Sequence, residues 1–515
     1  MLQLTESQLD SAFSAIQFHG YGSFFPLPPE LPIIDKEWAM IRQELANHDI
    51  DTYNCYEALN AFVPKSRLNV RLVSLLHPFD LLYYTGLVMA IRDDIAAARM
   101  SLHSQRVFSF RSEKASANML YSSKPGYREF RSRQRKKAQA KSCRFVGVAD
   151  IADFYPRIYQ HRLNNALLAA LTDSHKRNFV RGIEKLLNQF SGNTSYGVPV
   201  GPAASRPLAE AVLIDVDSAL KTYDIDFVRF VDDFVIFGRT YEAVESSLHF
   251  LGETLFTQHG WTLQTAKSNI YTSKDFLKSH LAEHSEHEEE RRKLIEIMMG
   301  EEYEERSYSE LNEDEQSAID AFNLTEMLEE ALSPTKVVDY SEVGFILGRL
   351  SSLKQPDLIP IVLRNIQRLY PVANSVAAFF QGFDALGSKD KKRIASRLMA
   401  PILNSHKPAP PVYYMIWILH LFHENPSWNH ADDLLKVFRG SQSPIVKRYA
   451  ALALSSSGSR AHAFALKDYY RSAPPLLKTA ILLASGRLGS DERKYWIRSL
   501  RLSDPLEKLV ATSCT

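Results

Sequence analysis

Two adjacent aspartates interrupt the most strand-like stretch of this sequence. The stretch runs from Phe227 to Phe237 and has the sequence Phe-Val-Arg-Phe-Val-Asp-Asp-Phe-Val-Ile-Phe. Flanks of this apolar, β-prone kind predict a buried strand, a tight turn at Asp232-Asp233 and a second strand. Burying an ionised carboxylate without a partner is costly, so bound cations are the best explanation of a strand turn that carries two of them. The alternative is a solvated hairpin tip that happens to carry two aspartates.

A second strand that ends on a carboxylate is predicted upstream. The apolar run 145–150 ends on Asp150, which can face the Asp232-Asp233 turn from a neighbouring strand. Three carboxylates that converge in this way can hold two divalent ions about 3.5–4 Å apart, one for the attacking oxygen and one for the leaving oxygen. Asp153 is the alternative ligand, but three residues further along it is expected to point elsewhere. A helix over about 159–171 is predicted to follow.

A loop rich in glycine and proline, residues 197–207, leads into a predicted long helix. Small residues such as Gly201 let a nucleotide and a base pair approach the backbone closely, although an ordinary loop before a helix has a similar composition. Beyond the aspartate pair, a turn at Gly260, a short strand and Lys267 are predicted. The lysine is placed to reach a pyrophosphate leaving group, and its alternative role is that of a solvated surface residue.

Positive charge on this chain is local, since the net charge is only +1 over 515 residues. Between residues 124 and 144 nine basic residues accompany one acid, and Tyr121, Tyr127 and Phe130 are interleaved with them. A groove that tracks a nucleic-acid backbone and stacks bases has this composition, and so does a solvated surface. Lys65 and Arg67, which precede a helix predicted from Pro78, are candidates for binding a triphosphate. Arg111 is a third, at the end of a short alternating segment predicted as a strand over 107–111.

Length and cysteine content limit the class of protein. A chain of 515 residues is too long for one core, so two to four domains are expected. The three cysteines are far apart; they predict neither a disulfide framework nor a zinc site, and they fit a reducing, cytoplasmic environment. No apolar run reaches the length of a membrane span, and the N-terminal residues lack the pattern of a signal peptide.

The second half of the chain is predicted to be helical. Residues 276–339 are highly charged and are interpreted as a solvated helical connector. His280, His284 and His287 fall on one face of it, which permits a metal site but is commoner for exposed histidines. From 340 to 515, Pro444 and Gly458 recur 31 residues later as Pro475 and Gly489. Self-similarity at a fixed period predicts stacked helix pairs of a HEAT-like repeat domain.

Taken together, these segments resemble the reverse transcriptases over about residues 63–271. Asp150, with Phe154 and Tyr155 after it, is similar to their first catalytic motif. Phe230-Val231-Asp232-Asp233 is similar to their (Tyr/Phe)-x-Asp-Asp box. The loop 197–207 and the segment 260–267 are similar to the motifs on either side of that box.

The resemblance implies an α+β fold of reverse-transcriptase palm and fingers over 1–275, followed by the connector and the all-α HEAT-like helical-repeat domain. It implies a nucleotidyltransferase that uses dNTPs and two Mg²⁺ or Mn²⁺ ions. The implied catalytic residues are Asp150, Asp232 and Asp233, and the implied metal ligands are Asp150, Ile151 and Asp232. The implied nucleotide-binding residues are Lys65, Arg67, Arg111, Phe154, Tyr155, Val200, Gly201 and Lys267.

One departure narrows the resemblance. Val200 stands where templated reverse transcriptases usually carry a glutamine that helps to hold the incoming nucleotide. The form Val-Gly-Pro-Ala-Ala-Ser-Arg at 200–206 is instead similar to the abortive-infection (Abi) reverse transcriptases, the AbiK-like, prophage-encoded antiphage type. That similarity implies template-independent synthesis primed from a protein tyrosine, a single-stranded DNA product attached to the protein, and a homo-oligomer, a trimer or larger.

Two alternative functions stay open from the sequence. The first is a templated RNA-directed DNA polymerase that works with an RNA partner, against which Val200 argues. The second is a degenerate palm that binds nucleic acid as a scaffold, against which the presence of all three aspartates argues. Sequencing the products made with and without template distinguishes the first alternative from the leading hypothesis.

Overall fold

A computed structural model describes most of the chain between residues 2 and 514. The residues outside the description are 21–23, 66–68, 113–117, 123, 282–312, 314–322, 336, 354–355, 382, 384, 405–408, 429 and 503. The predicted histidine face of the connector falls largely among them, since His284 and His287 lie outside the described residues. The described chain divides into two compact units. The first comprises Met1–Gly22, Ile34–Ala58 and Ser74–His284, and the second comprises Ser23–Ile33, Leu59–Val73 and Ser285–Thr515.

The described strands of the chain are β1 (Leu59–Pro64), β2 (Val70–Leu75), β3 (Phe145–Asp150), β4 (Phe227–Phe230), β5 (Asp233–Gly238) and β6 (Asn269–Thr272). Four of them form the antiparallel sheet of the first unit, in the order β4-β5-β3-β6. The predicted strand that ends on Asp150 and the predicted strand pair around Asp232-Asp233 are therefore confirmed. β6 was not predicted, and it pairs with β3 on the opposite side from β5.

Ten α-helices are described before residue 260, and two of them, α5 and α10, pack on this sheet. The ten are α1 (Glu6–His19), α2 (Leu31–Lys36), α3 (Trp38–Asn47), α4 (Pro78–Ala98), α5 (Tyr127–Ala138), α6 (Gln160–Ala170), α7 (Arg177–Phe190), α8 (Ser205–Val212), α9 (Ile214–Thr222) and α10 (Tyr241–His259). The predicted helix that begins at Pro78 is present, with proline in its first turn, where the missing backbone N–H costs nothing. The predicted long helix after the glycine-rich loop is present as α8 and α9, which meet at Leu213.

The two faces of the sheet are packed differently. On one face, alternate residues of β3 and β5, such as Val146 and Val235, join Phe108 and Phe130 in an apolar cluster. On the other face α10 crosses β3 and β5. A Cβ on Gly147 would lie 2.7 Å from a methyl group of Val244, so glycine at this position of β3 lets the helix approach closely. Packing on both faces fixes the position of Asp150 at the end of β3.

Two short strands predicted from the sequence are absent. In the segment 107–111 only Val107 pairs, through an isolated parallel bridge with Arg229. Phe110 has a φ of +38°, and a residue in this conformation cannot continue a strand. After Gly260 only Leu263 pairs, through an isolated bridge with Ile151.

Described helices dominate the second unit, to which the hairpin β1-β2 contributes residues 59–73. They are α11 (Leu324–Ala331), α12 (Tyr340–Leu353), α13 (Ile359–Arg364), α14 (Ala373–Gln381), α15 (Ser388–Leu403), α16 (Val412–Glu424), α17 (Ala431–Gly440), α18 (Pro444–Ser457), α19 (Arg460–Lys467), α20 (Pro475–Ala484), α21 (Ser490–Arg498) and α22 (Pro505–Cys514). Alternate helices pack in sequence: α12 on α14, α14 on α16, α16 on α18, α18 on α20 and α20 on α22. Of the helices described, none has the length and apolarity needed to span a bilayer.

Candidate active site

The turn between β4 and β5 presents the aspartate pair from a strained backbone. Phe230 and Asp233 face each other as the last pair of the hairpin, and Val231 and Asp232 connect them. Val231 has a φ of +55° and is buried. A β-branched residue in the left-handed region is a true outlier, with a cost on the order of 1–3 kcal/mol. Such strain persists only where the surrounding structure imposes it.

The strand register brings Asp150 beside this turn. Asp150 is the cross-strand partner of Asp233 in the antiparallel pair of β3 and β5. Immediately after Asp150, the backbone N–H of Ile151 donates to the carbonyl of Asp232 at 3.2 Å. The three predicted catalytic aspartates and Ile151 therefore lie together at one end of the sheet.

The carboxylates of Asp150, Asp232 and Asp233 are close enough for their negative charges to interact. Burial, together with the charges of Asp232 and Asp150, raises the pKa of Asp233 to about 7. Asp150 is only 4% exposed, and its Oδ2 lies 3.0 Å from the Nζ of Lys267. Lys267 thus places positive charge against Asp150, and the same charge opposes the rise in the pKa of Asp233.

The donor chemistry of the cluster fits divalent ions. Carboxylate oxygens are the ligands that Mg²⁺ prefers, and a bound cation would relieve the repulsion that raises the pKa of Asp233. Within the described part of the chain, no three His, Cys, Asp or Glu side chains are already arranged to hold an ion. The residues that would hold ions here are Asp150 and Asp232, with Ile151 adjacent to both.

The glycine-rich loop lies against the segment that follows Asp150. The N–H of Gly197 donates to the carbonyl of Ile158 at 2.9 Å, and the N–H of Val198 donates to the carbonyl of Tyr155 at 3.1 Å. Further along, the carbonyl of Val200 accepts from the N–H of Ser74 at 2.8 Å. Gly201 has a φ of +128°, and a Cβ there would lie 3.1 Å from the carbonyl oxygen of Ser74. Glycine is therefore required at position 201 on two grounds.

Phe154 and Tyr155 have different surroundings. Phe154 is buried and packs edge-to-face on Trp261, with ring centroids 5.0 Å apart. Tyr155 is half-buried, and burial raises its pKa well above the usual value, while the charges of Arg206 and Asp232 also act on it. Tyr155 therefore lies among the charged groups of the site, whereas Phe154 belongs to the core beneath it.

The three basic candidates for triphosphate binding have different surroundings. Arg111 is 9% exposed, and its guanidinium donates to the carbonyls of Ala96 and Met100 at the C-terminal end of α4. These contacts make Arg111 a cap of the C-terminal end of α4, and its role in triphosphate binding stays a prediction. Lys65 lies at the tip of the hairpin β1-β2 in the second unit, and Arg67 lies outside the described residues.

The middle of the basic segment 124–144 forms α5, and two of the three aromatic residues interleaved with the charges are buried. Phe130 packs on Phe230 with ring centroids 5.8 Å apart, and the hydroxyl of Tyr121 accepts from Arg206. These contacts exclude Phe130 and Tyr121 from the predicted base-stacking groove. Tyr127 is exposed and remains accessible. Lys137 is also engaged, since its Nζ lies 2.5 Å from the carboxylate of Asp226.

Arg206 is a cation near the site that was not predicted as a site residue. Its guanidinium lies 4.9 Å from the ring centroid of Phe110 and 5.6 Å from that of Tyr121. Its charge acts on Tyr155, as the charge of Asp232 does. The run Ser205-Arg206 at the start of α8 was the available signal, because an arginine so close to a predicted nucleotide loop is a candidate ligand for phosphate.

Comparison with known proteins identifies the domain that carries the aspartates. Residues 88–296 match the family described as reverse transcriptase (RNA-dependent DNA polymerase). The match includes Asp150, the glycine-rich loop, the Asp232-Asp233 turn and Lys267. No curated protein matches this chain.

The solved structures that match this chain include telomerases from two Candida species. Telomerase from Candida albicans, in complex with a TWJ fragment of telomeric RNA, is 12% identical with a TM-score of 0.30, over 82% of this chain and 71% of that one. Apo telomerase from Candida tropicalis is 11% identical with a TM-score of 0.32, over 81% of this chain and 73% of that one. Similarities at this level carry no conclusion about substrate or partner.

Proposed function

Residues 88–296 are a reverse transcriptase domain, and from this premise we propose that the chain is a DNA polymerase that adds dNTPs without a template. The observation that carries the proposal is the cross-strand pairing of Asp150 with Asp233 beside the strained Val231-Asp232 turn. A scaffold that only binds nucleic acid needs neither the crowded carboxylates nor the strain. Both features cost stability, and both serve a site that holds cations.

In the proposed mechanism Asp150 and Asp232 would hold two Mg²⁺ or Mn²⁺ ions, and Asp233 would support them. When bound, such ions lower the pKa of the attacking hydroxyl and stabilise charge on the leaving oxygen. Tyr155 lies beneath the sugar of the incoming nucleotide, and the glycine-rich loop lets the nucleotide approach the backbone at Gly201. Lys267 supplies positive charge for the pyrophosphate that leaves, and we add Arg206 as a second cation for the triphosphate.

Template independence and protein priming are the finer parts of the proposal. Val200 supports the first, because a hydrocarbon side chain cannot make the hydrogen bonds of the glutamine found in templated enzymes. The Abi-like form of residues 200–206 supports the second, together with an antiphage role and assembly into a homo-oligomer. A tyrosine of the protein would supply the attacking hydroxyl, so the product would be single-stranded DNA joined to the chain through a phosphodiester.

We also propose that the helical half is a HEAT-like repeat domain. Two helices of equivalent position, α18 and α20, begin at prolines 31 residues apart, Pro444 and Pro475. The order of packing, in which each alternate helix contacts the next, supports a stack of repeated units.

The direct experiment is to incubate the purified full chain with labelled dNTPs and Mg²⁺ without template and to resolve the products before and after protease digestion. The proposal predicts labelled DNA that migrates with the protein until protease is added. Incorporation that requires added RNA, with products complementary to it, would instead support the templated alternative, which the RNA-dependent activity in the family's description favours. No incorporation under either condition would contradict both.

A further inference from the structure

The strained residue Val231 has a side-chain partner on each of its backbone polar groups. Its N–H donates to the Oγ of Ser109 at 3.1 Å, and its carbonyl accepts from the Nη1 of Arg229 at 2.9 Å. Ser109 comes from the segment before Phe110, which reaches the turn because Val107 pairs with Arg229 at the edge of β4. The two contacts hold the peptide groups on either side of Val231, and thereby its dihedral angles.

Behind these two residues lies a fully buried group of charges. The guanidinium of Arg229 binds both carboxylate oxygens of Asp217, at 2.8 and 2.6 Å, and also contacts Glu210 at 3.1 Å. Glu210 in turn accepts from the Oγ of Ser109 at 2.6 Å and from Arg99 at 2.5 Å. The four charged side chains are each at most 1% exposed. They form two positive and two negative groups, so the cluster is neutral.

Arg229 is held in its charged form at the centre of this cluster. Burial alone would lower the pKa of Arg229, but the carboxylates of Asp217 and Glu210 outweigh it and raise the pKa above the usual value. Ion pairs buried in this way add little net stability, because desolvation offsets their attraction. Such a cluster is therefore better explained by the geometry that it imposes than by the stability that it provides.

The buried cluster holds the turn between β4 and β5, which carries Val231 and Asp232, in its observed geometry. Glu210 and Asp217 stand on α8 and α9, directly after the glycine-rich loop, so the cluster links the helices that follow that loop to the residue that precedes Asp232. We propose that Ser109 and Arg229 are positioning residues, which hold Val231 in its left-handed conformation so that Asp232 faces Asp150. This inference rests on the proposed function, since it concerns the same site.

The first test compares Ser109→Ala with the wild-type chain. Removal of the hydroxyl leaves the N–H of Val231 without its acceptor and frees the turn to relax. We expect kcat for dNTP incorporation to fall about tenfold, with KM for dNTP nearly unchanged, because relief of strain of this kind corresponds to roughly that factor. The Kd for Mn²⁺, measured by calorimetry without nucleotide, should rise about fivefold or more. Mn²⁺ binding does not depend on polymerase activity, so it tests the inference even if the proposed function fails.

A matched control separates positioning from the loss of one buried hydrogen bond. Ser485 in the second unit is also 1% exposed, and its Oγ donates to the carbonyl of Leu482 at 2.6 Å. Ser485→Ala removes a buried serine hydroxyl as Ser109→Ala does, and it should leave Mn²⁺ affinity and kcat unchanged. Arg448 gives the corresponding control for Arg229, since it is buried and binds both oxygens of Glu30. Arg229→Lys should weaken Mn²⁺ binding, whereas Arg448→Lys should not.

A double-mutant cycle tests the stated cause. Glycine adopts a positive φ without strain, so in a Val231→Gly background the hydroxyl of Ser109 should matter less. We expect Ser109→Ala to change Mn²⁺ affinity and kcat by less than about twofold in that background. The inference is overturned if the Ser109→Ala variant binds Mn²⁺ with the affinity of the wild type. It is equally overturned if neither protein binds Mn²⁺. It is also overturned if Ser109→Ala lowers Mn²⁺ affinity and kcat as much in the Val231→Gly background as in the wild type. Ser109 would then stabilise the fold in general and not the conformation of residue 231.

Discussion

At the scale of single residues, Asp233 is the catalytic candidate whose pKa is clearly displaced from its ordinary value. Its pKa of about 7 in the folded protein exceeds the value of about 4 expected in an unfolded chain. Between these pH values the folded protein keeps a proton that the unfolded chain has released. Metal-free stability is therefore lost as the pH rises from about 4 to about 7, and the loss is complete above that.

The variant Asp233→Asn removes the free-energy cost of ionising this buried carboxyl group above about pH 7. In EDTA we expect the substitution to raise Tm clearly at pH 8 and much less at pH 4, where the native carboxyl is protonated and resembles the amide. Thermal unfolding followed by circular dichroism at the two pH values measures the difference. Asp153→Asn, at a site where the side chain is 70% exposed, is the control. An equal effect of Asp233→Asn at both pH values would show that crowding of negative charge is not the cause.

Tyr155 is the residue expected to discriminate between sugars. A large ring beneath the incoming nucleotide would collide with a 2′-hydroxyl, so dNTPs should be preferred over rNTPs. We expect Tyr155→Ala to lower the preference for dNTP over rNTP by at least about tenfold, which corresponds to ~1.4 kcal/mol of discrimination. Steady-state kinetics with both substrates checks this. Tyr495→Ala, at an exposed tyrosine of the second unit, should leave the ratio unchanged, and an unchanged ratio in Tyr155→Ala would make Tyr155 a packing residue.

The aspartates of the turn could be predicted because charged residues inside an apolar strand carry a desolvation cost that the neighbouring sequence reveals. Two charged residues inside an apolar run stand out, so Asp232 and Asp233 could be found without a structure. Ser109 and Glu210 could not, because a serine and a glutamate are unremarkable until a turn far along the chain is packed against them. The strain at Val231 was equally invisible, since it arises from tertiary contacts and not from the preference of valine.

At the scale of elements, Arg111 caps the C-terminal end of α4. Arg111→Met keeps most of the apolar bulk and removes the two hydrogen bonds to Ala96 and Met100. We expect the free energy of unfolding to fall by about 2 kcal/mol, as for hydrogen bonds made by a charged group. Denaturant unfolding measures this change. If Arg111 acts only as a helix cap, KM for dNTP should stay within about twofold of wild type. A rise of about tenfold or more with unchanged stability would instead support the predicted triphosphate role.

Continuous apolar runs were correctly predicted as strands, and the short alternating segment 107–111 was not. Strands β3, β4 and β5 are apolar runs, and the sheet buries them on both faces, so composition alone identified them. The alternating segment 107–111 has the composition of a strand but only one paired residue, because the backbone turns at Phe110. Strand formation there depends on a neighbour that local sequence does not encode.

At the scale of the whole molecule, the source of the primer is the property that most distinguishes the proposed enzyme. We predict a covalent protein–DNA adduct that survives SDS and heat and maps by mass spectrometry to a tyrosine outside the strands of the sheet. Tyr303 and Tyr308 of the charged connector are candidates, and both lie outside the described residues. Labelled DNA that migrates free of protein without protease treatment would exclude self-priming.

The organisation into two units was only partly accessible to sequence analysis. A mixed first part and a helical second part follow from the change in periodicity along the chain. The assignment of the short segments 23–33 and 59–73 to the second unit does not, because it depends on contacts with residues hundreds of positions away. Local patterns predict elements, and long-range packing decides where the short segments belong.

The central claim is that Asp150, Asp232 and Asp233 form a working nucleotidyl-transfer site. Its most direct test is template-free incorporation of labelled dNTP by the wild-type chain, by Asp232→Asn and by the control Asp224→Asn, at an exposed residue three positions before β4. The account predicts that Asp232→Asn stays folded and loses incorporation by roughly a thousandfold, because several kcal/mol of charge stabilisation in the transition state is removed. Asp224→Asn should incorporate as the wild type does. Near wild-type incorporation by a folded Asp232→Asn protein would contradict the account.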